Sequence, residues 1–384
     1  MATEYDFRFQ IPTNIIFGTG SLDTLGDHAK QIGFKRPLFV TDSVIGKTEG
    51  AERALSLLKK SGITPVVWDE IDAEPNDTII VEGLKHYTAN DCDGFVAFGG
   101  GSSMDSAKCI GILAEAGEED PNLYMRGGGR IPVGCPPLIA IPTSAGTGSE
   151  VTSVGVFTNT KTGHKMGVKH PSMFAKVAIC DPSLMVSMPP KVTMATGIDA
   201  LSHATECFTK VREHPFCDAL ALQAIKLIVR NLKKAIQSGE DIHAREGMAL
   251  AATMAGTAFE IGGLQFHSFA QALGAKYHSP HGITCGVALR GGLRYILPTA
   301  TKKLARLCWA FDIDSRDMRD EKAAELAVDA ATSFITEMGI AGVTEATGSG
   351  RDDIPWLAKE TVETSAVPWS IADATALWEE IFRD

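Results

Sequence analysis

The sequence lacks the features that mark nucleic-acid-binding and membrane proteins. No long basic run offsets its formal net charge of −11, which results from 36 Lys and Arg against 47 Asp and Glu, so we do not expect it to bind nucleic-acid phosphates. No stretch approaches the roughly 18 consecutive apolar residues of a transmembrane helix, and residues 1–10 lack the apolar core of a signal peptide. We therefore expect neither membrane insertion nor secretion.

Paired cysteines and repeats are also missing. The eight cysteines are scattered, without a CxxC pair or a dense framework. Such free thiols are typical of a reducing compartment, which predicts a cytoplasmic protein. Neither an internal repeat nor a low-complexity linker is present. The 384 residues are enough for two domains at about 150 residues per domain.

Two kinds of pattern divide the chain. From about residue 14 to residue 185, short apolar runs alternate with helical periods, which indicates βαβ units and a mainly parallel sheet. After Met188-Pro189-Pro190 the stretches are rich in Ala, Leu and Met and predict helices. We predict an α/β domain of nucleotide-binding type at 1–187 and an all-α domain at 188–384. The predicted strands are 37–41, 64–68, 94–98, 138–141 and 177–180, and the predicted helices of the second half are 219–238, 244–259, 322–338 and 371–382.

Three glycine-rich stretches are candidates for binding phosphate, at 18–20, 99–102 and 144–149. The second follows an apolar strand and opens a helical pattern, so its backbone N–H groups could face a pyrophosphate. A tight strand-to-helix turn with a capping residue explains the same pattern equally well. The third combines small and hydroxyl residues and would let a ligand approach the backbone. For the first, helix capping is the favoured interpretation.

Asp42 follows the strand of the first βα unit. A carboxylate there could accept hydrogen bonds from both ribose hydroxyls of an adenosine and would repel a 2′-phosphate, which favours NAD over NADP. An N-cap or turn aspartate is the alternative interpretation. The ordinary GxGxxG fingerprint does not follow the first strand.

Histidines and one aspartate recur in the second half. Asp199 and His203 are four residues apart, so on a helix they would share one face, although such a pair can also be a local hydrogen bond. His267, His278 and His281 follow within fifteen residues. One carboxylate and three imidazoles without cysteine suit Fe(II), Zn(II), Co or Ni and leave open positions, which favours a catalytic ion over a structural one.

The chain must bend for these histidines to share an ion. In a single helix His267 and His281 would be about 21 Å apart at 1.5 Å per residue. Gly274, Pro280 and Gly282 could supply the break, and we expect a helix carrying His267 and then a loop carrying His281.

Four motifs together resemble the iron-containing (group III) alcohol dehydrogenase family. They are GGGSSMDSAK at 99–108, PTSAGTGSEVT at 142–152, GIDALSHATE at 197–206 and GLQFHSFAQALGAKYHSPHG at 263–282. The likeness covers essentially the whole chain. It implies a Rossmann-like α/β domain followed by a helical domain, NAD as cofactor, and a divalent metal that is Fe(II) or else Zn(II). It also implies a homo-oligomer, a dimer or larger.

The resemblance assigns candidate residues position by position. Asp199, His203, His267 and His281 match the metal ligands of the family. The positions that match its cofactor contacts are Asp42, Asn76, Gly100, Gly101, Ser102, Thr143, Ser144, Thr147 and Lys165.

Two positions depart from the family pattern. Gln271 stands where the family commonly has a further histidine near the nicotinamide, and glutamine cannot carry a proton. We therefore interpret Gln271 and His278 as the altered catalytic pair, in which His278 with the ribose hydroxyl and water would relay the proton; simple packing or solvation of His278 is the alternative. Arg290 replaces a proline, and we expect a solvated surface arginine there rather than a cation near the pocket.

These observations predict an NAD(H)-dependent, metal-dependent enzyme that interconverts primary alcohols and aldehydes. A reductase for a carboxylated aldehyde, of the 4-hydroxybutyrate dehydrogenase type, remains an alternative. A lyase of the dehydroquinate-synthase kind and a non-catalytic metal-binding protein are more distant alternatives.

Overall fold

A computed structural model describes residues 7, 9–71, 74–127, 131, 134–210 and 214–383. Glu4, Asp6 and Arg8, which contribute to the expectation that the chain has no signal peptide, lie outside these residues. The chain divides into two compact units, one spanning Gln10–Ser187 and the other spanning Met188–Asp384 with the residues up to Phe9. Phe7 and Phe9 contact Phe216 of the second unit, at ring-centroid distances of 5.8 and 4.9 Å.

The first unit is built on a parallel sheet. Its six strands have the order β1-β8-β5-β4-β2-β3 in the described residues, and every pairing is parallel. The central strands are buried on both faces, as expected of a sheet covered by helices, and their sequences are therefore continuous apolar runs. The sheet strands are β1 (Asn14–Phe17), β2 (Leu38–Asp42), β3 (Val66–Ile71), β4 (Phe95–Gly99), β5 (Leu138–Pro142) and β8 (Val177–Cys180).

Helices and a hairpin complete this unit, and apolar clusters fill the space on both sides of the sheet. The hairpin of β6 (Val154–Thr158) and β7 (Lys165–Lys169) is antiparallel and forms its own two-stranded sheet. It was not among the predicted strands, because its residues mix lysines and glycines with a few apolar side chains. The helices are α1 (Leu25–Ile32), α2 (Glu49–Lys60), α3 (Asp77–Ala89) and α4 (Gly101–Ala116).

The second unit is helical throughout its described residues. Pro190 is the first residue of its first helix. The backbone N–H at this position makes no hydrogen bond within a helix, so proline, which lacks that N–H, is tolerated there. No helix in the described part of the chain is both long enough and apolar enough to span a bilayer. The helices are α5 (Pro190–Thr209), α6 (Pro215–Gln237), α7 (Ile242–Gly262), α8 (His267–Tyr277), α9 (His281–Ile296), α10 (Thr301–Arg306), α11 (Asp320–Glu337), α12 (Val343–Thr347), α13 (Ile354–Thr364) and α14 (Ile371–Ile381).

The predicted bend between His267 and His281 is present, but its details differ from the expectation. Helix α8 continues through Gly274 and ends at His278, whose φ of 52° and ψ of 28° are left-handed. His281 does not lie in a loop, since it is the first residue of α9. The break therefore needs only the segment from His278 to Pro280.

Candidate functional site

Four side chains of the second unit converge on one point. Asp199 and His203 lie one turn apart on α5, and Asp199 Oδ1 is 3.5 Å from His203 Nε2. The same oxygen is 3.7 Å from His281 Nε2 and 4.0 Å from His267 Nε2. The Nε2 atoms of His267 and His281 are 2.8 Å apart. The four residues that the sequence marked as metal ligands are thus brought together by three helices.

Close packing of α9 on α5 sets the position of His281. The next residue, Gly282, approaches α5 so closely that a Cβ atom there would lie 1.8 Å from the carbonyl oxygen of Ala195. Only glycine permits this approach. Because α9 begins at His281, the contact fixes the height at which this imidazole faces Asp199.

Cys285 joins the cluster, although we expected a site without cysteine. It lies one turn after His281 on α9, and its Sγ is 3.5 Å from His281 Nε2 and 3.6 Å from Asp199 Oδ1. Asp199, His267, His281 and Cys285 can offer ligand atoms that all lie within 4.8 Å of one another. The four-residue spacing from His281 was a signal that could have found this thiol.

Glu206 is a second residue that the sequence reasoning missed. Its Oε2 accepts hydrogen bonds from the backbone N–H groups of Gln265, Phe266 and His267, at 2.8, 2.6 and 3.1 Å, and so caps the start of α8. Its Oε1 lies 3.3 Å from His267 Nδ1. A carboxylate at this distance favours a proton on Nδ1, which leaves the lone pair on Nε2, the atom that faces Asp199.

The donor set fits a divalent metal. Asp199 and His203 are buried, and His267 and His281 are partly buried. One carboxylate and three imidazoles suit Fe(II) or Zn(II) without filling every coordination position. Burial alone raises the pKa of Asp199, but the neighbouring His203, His281 and His267 outweigh it and lower that pKa. Asp199 is therefore an anion among imidazoles, as a cation site requires.

Most of the predicted cofactor residues of the first unit lie at one edge of the sheet. β2, β4 and β5 are parallel neighbours that end at Asp42, Gly99 and Pro142. Their carboxyl ends share an edge, which is where open α/β sheets bind ligands. Gly100 is the N-cap of α4, so the first N–H groups of that helix, including those of Gly101 and Ser102, face the same edge.

The second and third glycine-rich stretches touch each other. The backbone N–H of Thr143 donates to Gly99 O at 2.9 Å. A Cβ atom on Gly100 would lie 3.5 Å from Ser144 Oγ, and one on Gly101 would lie 2.6 Å from Thr147 Cγ2. Gly101 is therefore required by close packing against Thr147. The two stretches form one surface of backbone groups and hydroxyls, suited to phosphates.

Three further cofactor candidates have local structural partners. Asp42 Oδ1 accepts from the N–H groups of Val44 and Ile45 at 2.9 and 2.8 Å, which is the turn-capping role considered as the alternative. A carboxylate has a second oxygen, so this role does not conflict with ribose binding. Asn76 and Lys165 form a separate group on either side of β6, since both pair with Thr158.

The first glycine-rich stretch, 18–20, serves a structural role. The buried carboxylate of Asp181 accepts hydrogen bonds from Gly20 N and Leu22 N, both at 3.1 Å. These amides already face an anion, and its charge would repel a phosphate. The sequence favoured helix capping by this stretch, but Gly20 at the N-cap has no capping side chain, and Asp181 supplies the acceptors instead.

The residues that depart from the family pattern have distinct environments. Gln271 is half-buried, one turn after His267 on α8, and His278 is exposed at the end of that helix. The expectation for Arg290 was wrong: it is 8% exposed, and its Nη1 donates to Ile340 O at 3.3 Å. Its place on the inward face of α9 makes it a packing residue of the helical unit.

A cavity of about 490 Å³ lies beside Gln265, which is two residues before His267. Its volume is within the usual range for small-molecule pockets, about 300–1,000 Å³. The walls combine apolar and polar side chains, namely Lys210, Gln265, Ala366, Val367, Pro368, Trp369 and Asp373.

A parallel α/β sheet with an edge suited to phosphates, in a chain that also carries an Asp–His cluster, is the arrangement that a dinucleotide- and metal-dependent enzyme requires. Comparison with known proteins gives the family. Residues 12–182 match the model described as iron-containing alcohol dehydrogenase, and residues 193–375 match the Fe-containing alcohol dehydrogenase family, C-terminal.

Individual known proteins are similar to this chain over nearly its full length. A choline dehydrogenase of Bacillus subtilis (strain 168) is 39% identical over 361 residues, 92% of this chain and 89% of that protein. An NAD-dependent methanol dehydrogenase of Bacillus methanolicus is 37% identical over 357 residues, 93% of each chain. The crystal structure of a 1,3-propanediol oxidoreductase superposes with a TM-score of 0.93 at 33% identity, covering 98% of this chain and 100% of that one. The chain belongs to the iron-containing alcohol dehydrogenase family and is an NAD-dependent alcohol dehydrogenase.

Proposed function

We propose that the chain interconverts small primary alcohols and their aldehydes, with Asp199, His203, His267 and His281 holding a divalent metal, Fe(II) or else Zn(II). The observation that carries the proposal is that all three imidazoles have a nitrogen within 4.0 Å of Asp199 Oδ1. Asp199 and His203 are buried there, and His267 and His281 are partly buried. When bound, such an ion supplies Lewis-acid chemistry at the alcohol or aldehyde oxygen, and NAD(H) accepts or donates the hydride.

The arrangement of the side chains prepares the metal site and the cofactor site before the reaction. Asp199 and the imidazoles are buried or partly buried and already face one another, so little reorganisation would be needed when the ion and the substrate oxygen arrive. Gly100, Gly101 and Ser102 would bind the pyrophosphate at the start of α4. Thr143, Ser144 and Thr147 would orient the nicotinamide half, and Asp42 would bind the adenosine ribose. Asn76, at the N-cap of α3, and Lys165, at the start of β7, would contact the cofactor.

His278 is proposed to relay the proton that leaves or joins the substrate oxygen, since Gln271 cannot carry one. The exposed ring can exchange protons with solvent. His278→Asn tests this role, because asparagine tolerates the left-handed backbone that ends α8. We expect kcat to fall at least roughly tenfold, with a changed pH profile and partial rescue by added imidazole. His243→Asn, at a side chain that is 87% exposed, is the matched control. An unchanged pH profile in His278→Asn would assign the proton to another group.

The substrate is proposed to be a small alcohol without a carboxylate. The relatives are named for choline, methanol and 1,3-propanediol, and the cavity beside Gln265 is large enough for such molecules. Lys210 in its wall is also compatible with the alternative, a carboxylated aldehyde. The deciding measurement is anaerobic NADH oxidation after reconstitution with Fe(II) or Zn(II), using propanal and succinic semialdehyde in parallel.

Two outcomes of that assay bear directly on the proposal. Turnover of propanal that disappears on chelation supports it, and a strong preference for succinic semialdehyde selects the carboxylated class instead. His267→Ala should lose metal and activity while NADH still binds. Full activity in that variant would show that the metal assignment is wrong.

A cytoplasmic homo-oligomer, a dimer or larger, is part of the proposal. The eight cysteines are free thiols, as a reducing compartment requires. Sedimentation of the purified protein would show the assembly, and a monomer at micromolar concentration would exclude the dimer.

A further inference from the structure

One lysine of the α/β unit is buried, and it lies outside the proposed phosphate-binding surface. Lys108 lies two turns along α4 and is only 3% exposed. Its ammonium donates to Ser149 O at 2.6 Å, to Ser149 Oγ at 2.8 Å and to Val154 O at 2.9 Å, with Thr152 Oγ1 at 3.3 Å. These oxygens are uncharged, and all belong to residues 149–154, which comprise the last residue of the third glycine-rich stretch and the segment after it.

Asp105, one turn earlier on α4, binds the same segment. Its Oδ1 accepts from Ser149 Oγ at 2.6 Å, and its Oδ2 accepts from Val156 N at 3.1 Å. The Ser149 hydroxyl therefore bridges the carboxylate and the ammonium. We call Asp105, Lys108 and Ser149 the clamp.

The clamp connects the two parts of the proposed cofactor surface. Gly100 and Gly101 lie at the start of the helix that carries Asp105 and Lys108. On the other side, Ser149 N donates to Thr147 Oγ1 at 3.2 Å, and Thr147 packs directly on Gly101. A shift of Ser149 would thus move Thr147 away from the helix start.

Stability alone does not account for this arrangement. Burying an ammonium together with a carboxylate carries a large desolvation cost, and apolar side chains of similar size often stabilise a core as well or better. A charged clamp has another advantage, because its short, directional hydrogen bonds fix geometry more closely than apolar contacts do.

We propose that Asp105 and Lys108 are positioning residues for the cofactor: through Ser149 they hold the 142–149 loop against the start of α4, so that the binding surface is complete before NAD(H) arrives. The inference rests on the proposed function, since it assumes that this surface binds the cofactor. The clamp residues act through the loop and have no role at the metal.

Lys108→Met tests the clamp, since methionine fills similar space without the ammonium. NADH affinity is measured by fluorescence titration, separately from turnover. We expect the Kd for NADH and the KM for NADH to rise together by roughly tenfold or more, because preorganisation is lost. At saturating NADH, kcat should stay within about threefold, and metal content should be unchanged. Lys85→Met, at an exposed lysine on α3 that pairs with Glu82, is the matched control and should match the wild type.

Ser149→Ala is the second variant, in case Lys108→Met does not fold. It removes only the bridging hydroxyl, and it should weaken NADH binding in the same direction. Because both changes break the same connection, the double variant should lose clearly less affinity than the sum of the two single effects.

The possible outcomes distinguish a failure of the clamp inference from a failure of the proposed function. If the wild type binds no NADH, the proposed cofactor surface is wrong, and the clamp inference falls with it. If the wild type binds and turns over NADH while both variants bind it equally well, only the clamp inference is overturned. A lower melting temperature with unchanged NADH affinity would likewise make the clamp merely structural.

Discussion

Replacing Glu206 tests two functions of one carboxylate, which caps the start of α8 and faces His267. Its Oε2 accepts from three backbone N–H groups at the start of α8, and its Oε1 faces His267 Nδ1 at 3.3 Å. Glu206→Ala removes both functions and leaves buried donors without an acceptor. Loss of a cap costs about 0.5–2 kcal/mol, and each unsatisfied donor costs about 1–3 kcal/mol. We therefore expect the free energy of unfolding of the metal-free protein to fall by about 3 kcal/mol.

Glu206→Gln should discriminate between the two jobs. Its amide oxygen can still accept from the helix start, so the stability loss should be only about 1 kcal/mol. Its NH₂ group would then face His267 Nδ1 and favour a proton on Nε2, the atom proposed to bind the metal. Loss of such a supporting contact weakens metal binding by roughly 10- to 100-fold.

Two measurements test this reasoning. Competition with a chromophoric chelator gives the Zn(II) affinity, and urea unfolding after chelation gives the stability. Glu325→Gln, at an exposed glutamate on α11, controls for the loss of one negative charge. If Glu206→Gln binds Zn(II) as tightly as the wild type, the carboxylate does not orient His267, and the argument is refuted.

Three other changes have defined outcomes. Asp218→Asn should lower the free energy of unfolding by about 3–5 kcal/mol in urea, because it leaves the buried Lys303 without the carboxylate 2.6 Å away; a neutral effect would contradict this. Gly282→Ala should displace His281 and lower the Zn(II) affinity, whereas Gly111→Ala, where the nearest atom is 3.4 Å from the new Cβ, should not. Burial raises the pKa of Asp77, but hydrogen bonds from Asn122 and Thr160 outweigh it and lower that pKa, so its stabilisation is present above about pH 4 and is lost as pH falls through the lowered pKa. Acid unfolding curves of wild type and Asp77→Asn should therefore converge at low pH; a constant gap would exclude this linkage.

The sequence patterns predicted the helices and strands that are buried on one face or on both faces. The strand β4 is apolar throughout because helices cover both sheet faces, and α11 shows the 3.6-residue period of a half-buried helix. The hairpin of β6 and β7 escaped prediction. Its burial alternates incompletely, and its partner is the side of α4, which the local sequence does not reveal.

Site residues could be predicted from the sequence only where they lie close together along the chain. Asp199 and His203 are detectable because four residues make one helical turn. Glu206 meets α8 across 59 to 61 residues of sequence, and no local pattern encodes that contact. The bend between α8 and α9 was foreseen from geometry, but its location was not. A histidine in the left-handed conformation ends α8, a role usually given to glycine.

In the proposed assignment, two of the recognised motifs each combine a half that would face the metal or the cofactor and a half that supports it. Helix geometry explains why. On α5, positions 199, 203 and 206 follow one another at four and three residues, so the two proposed metal ligands and the capping glutamate share one face. On α4, the glycines at the helix start would face the cofactor, while Asp105 and Lys108 lie one and two turns further along and bind the neighbouring loop. Glycines and histidines marked the first half in the sequence, although helix capping and local hydrogen bonding explained the same patterns. The second half becomes visible only when the fold supplies the partner.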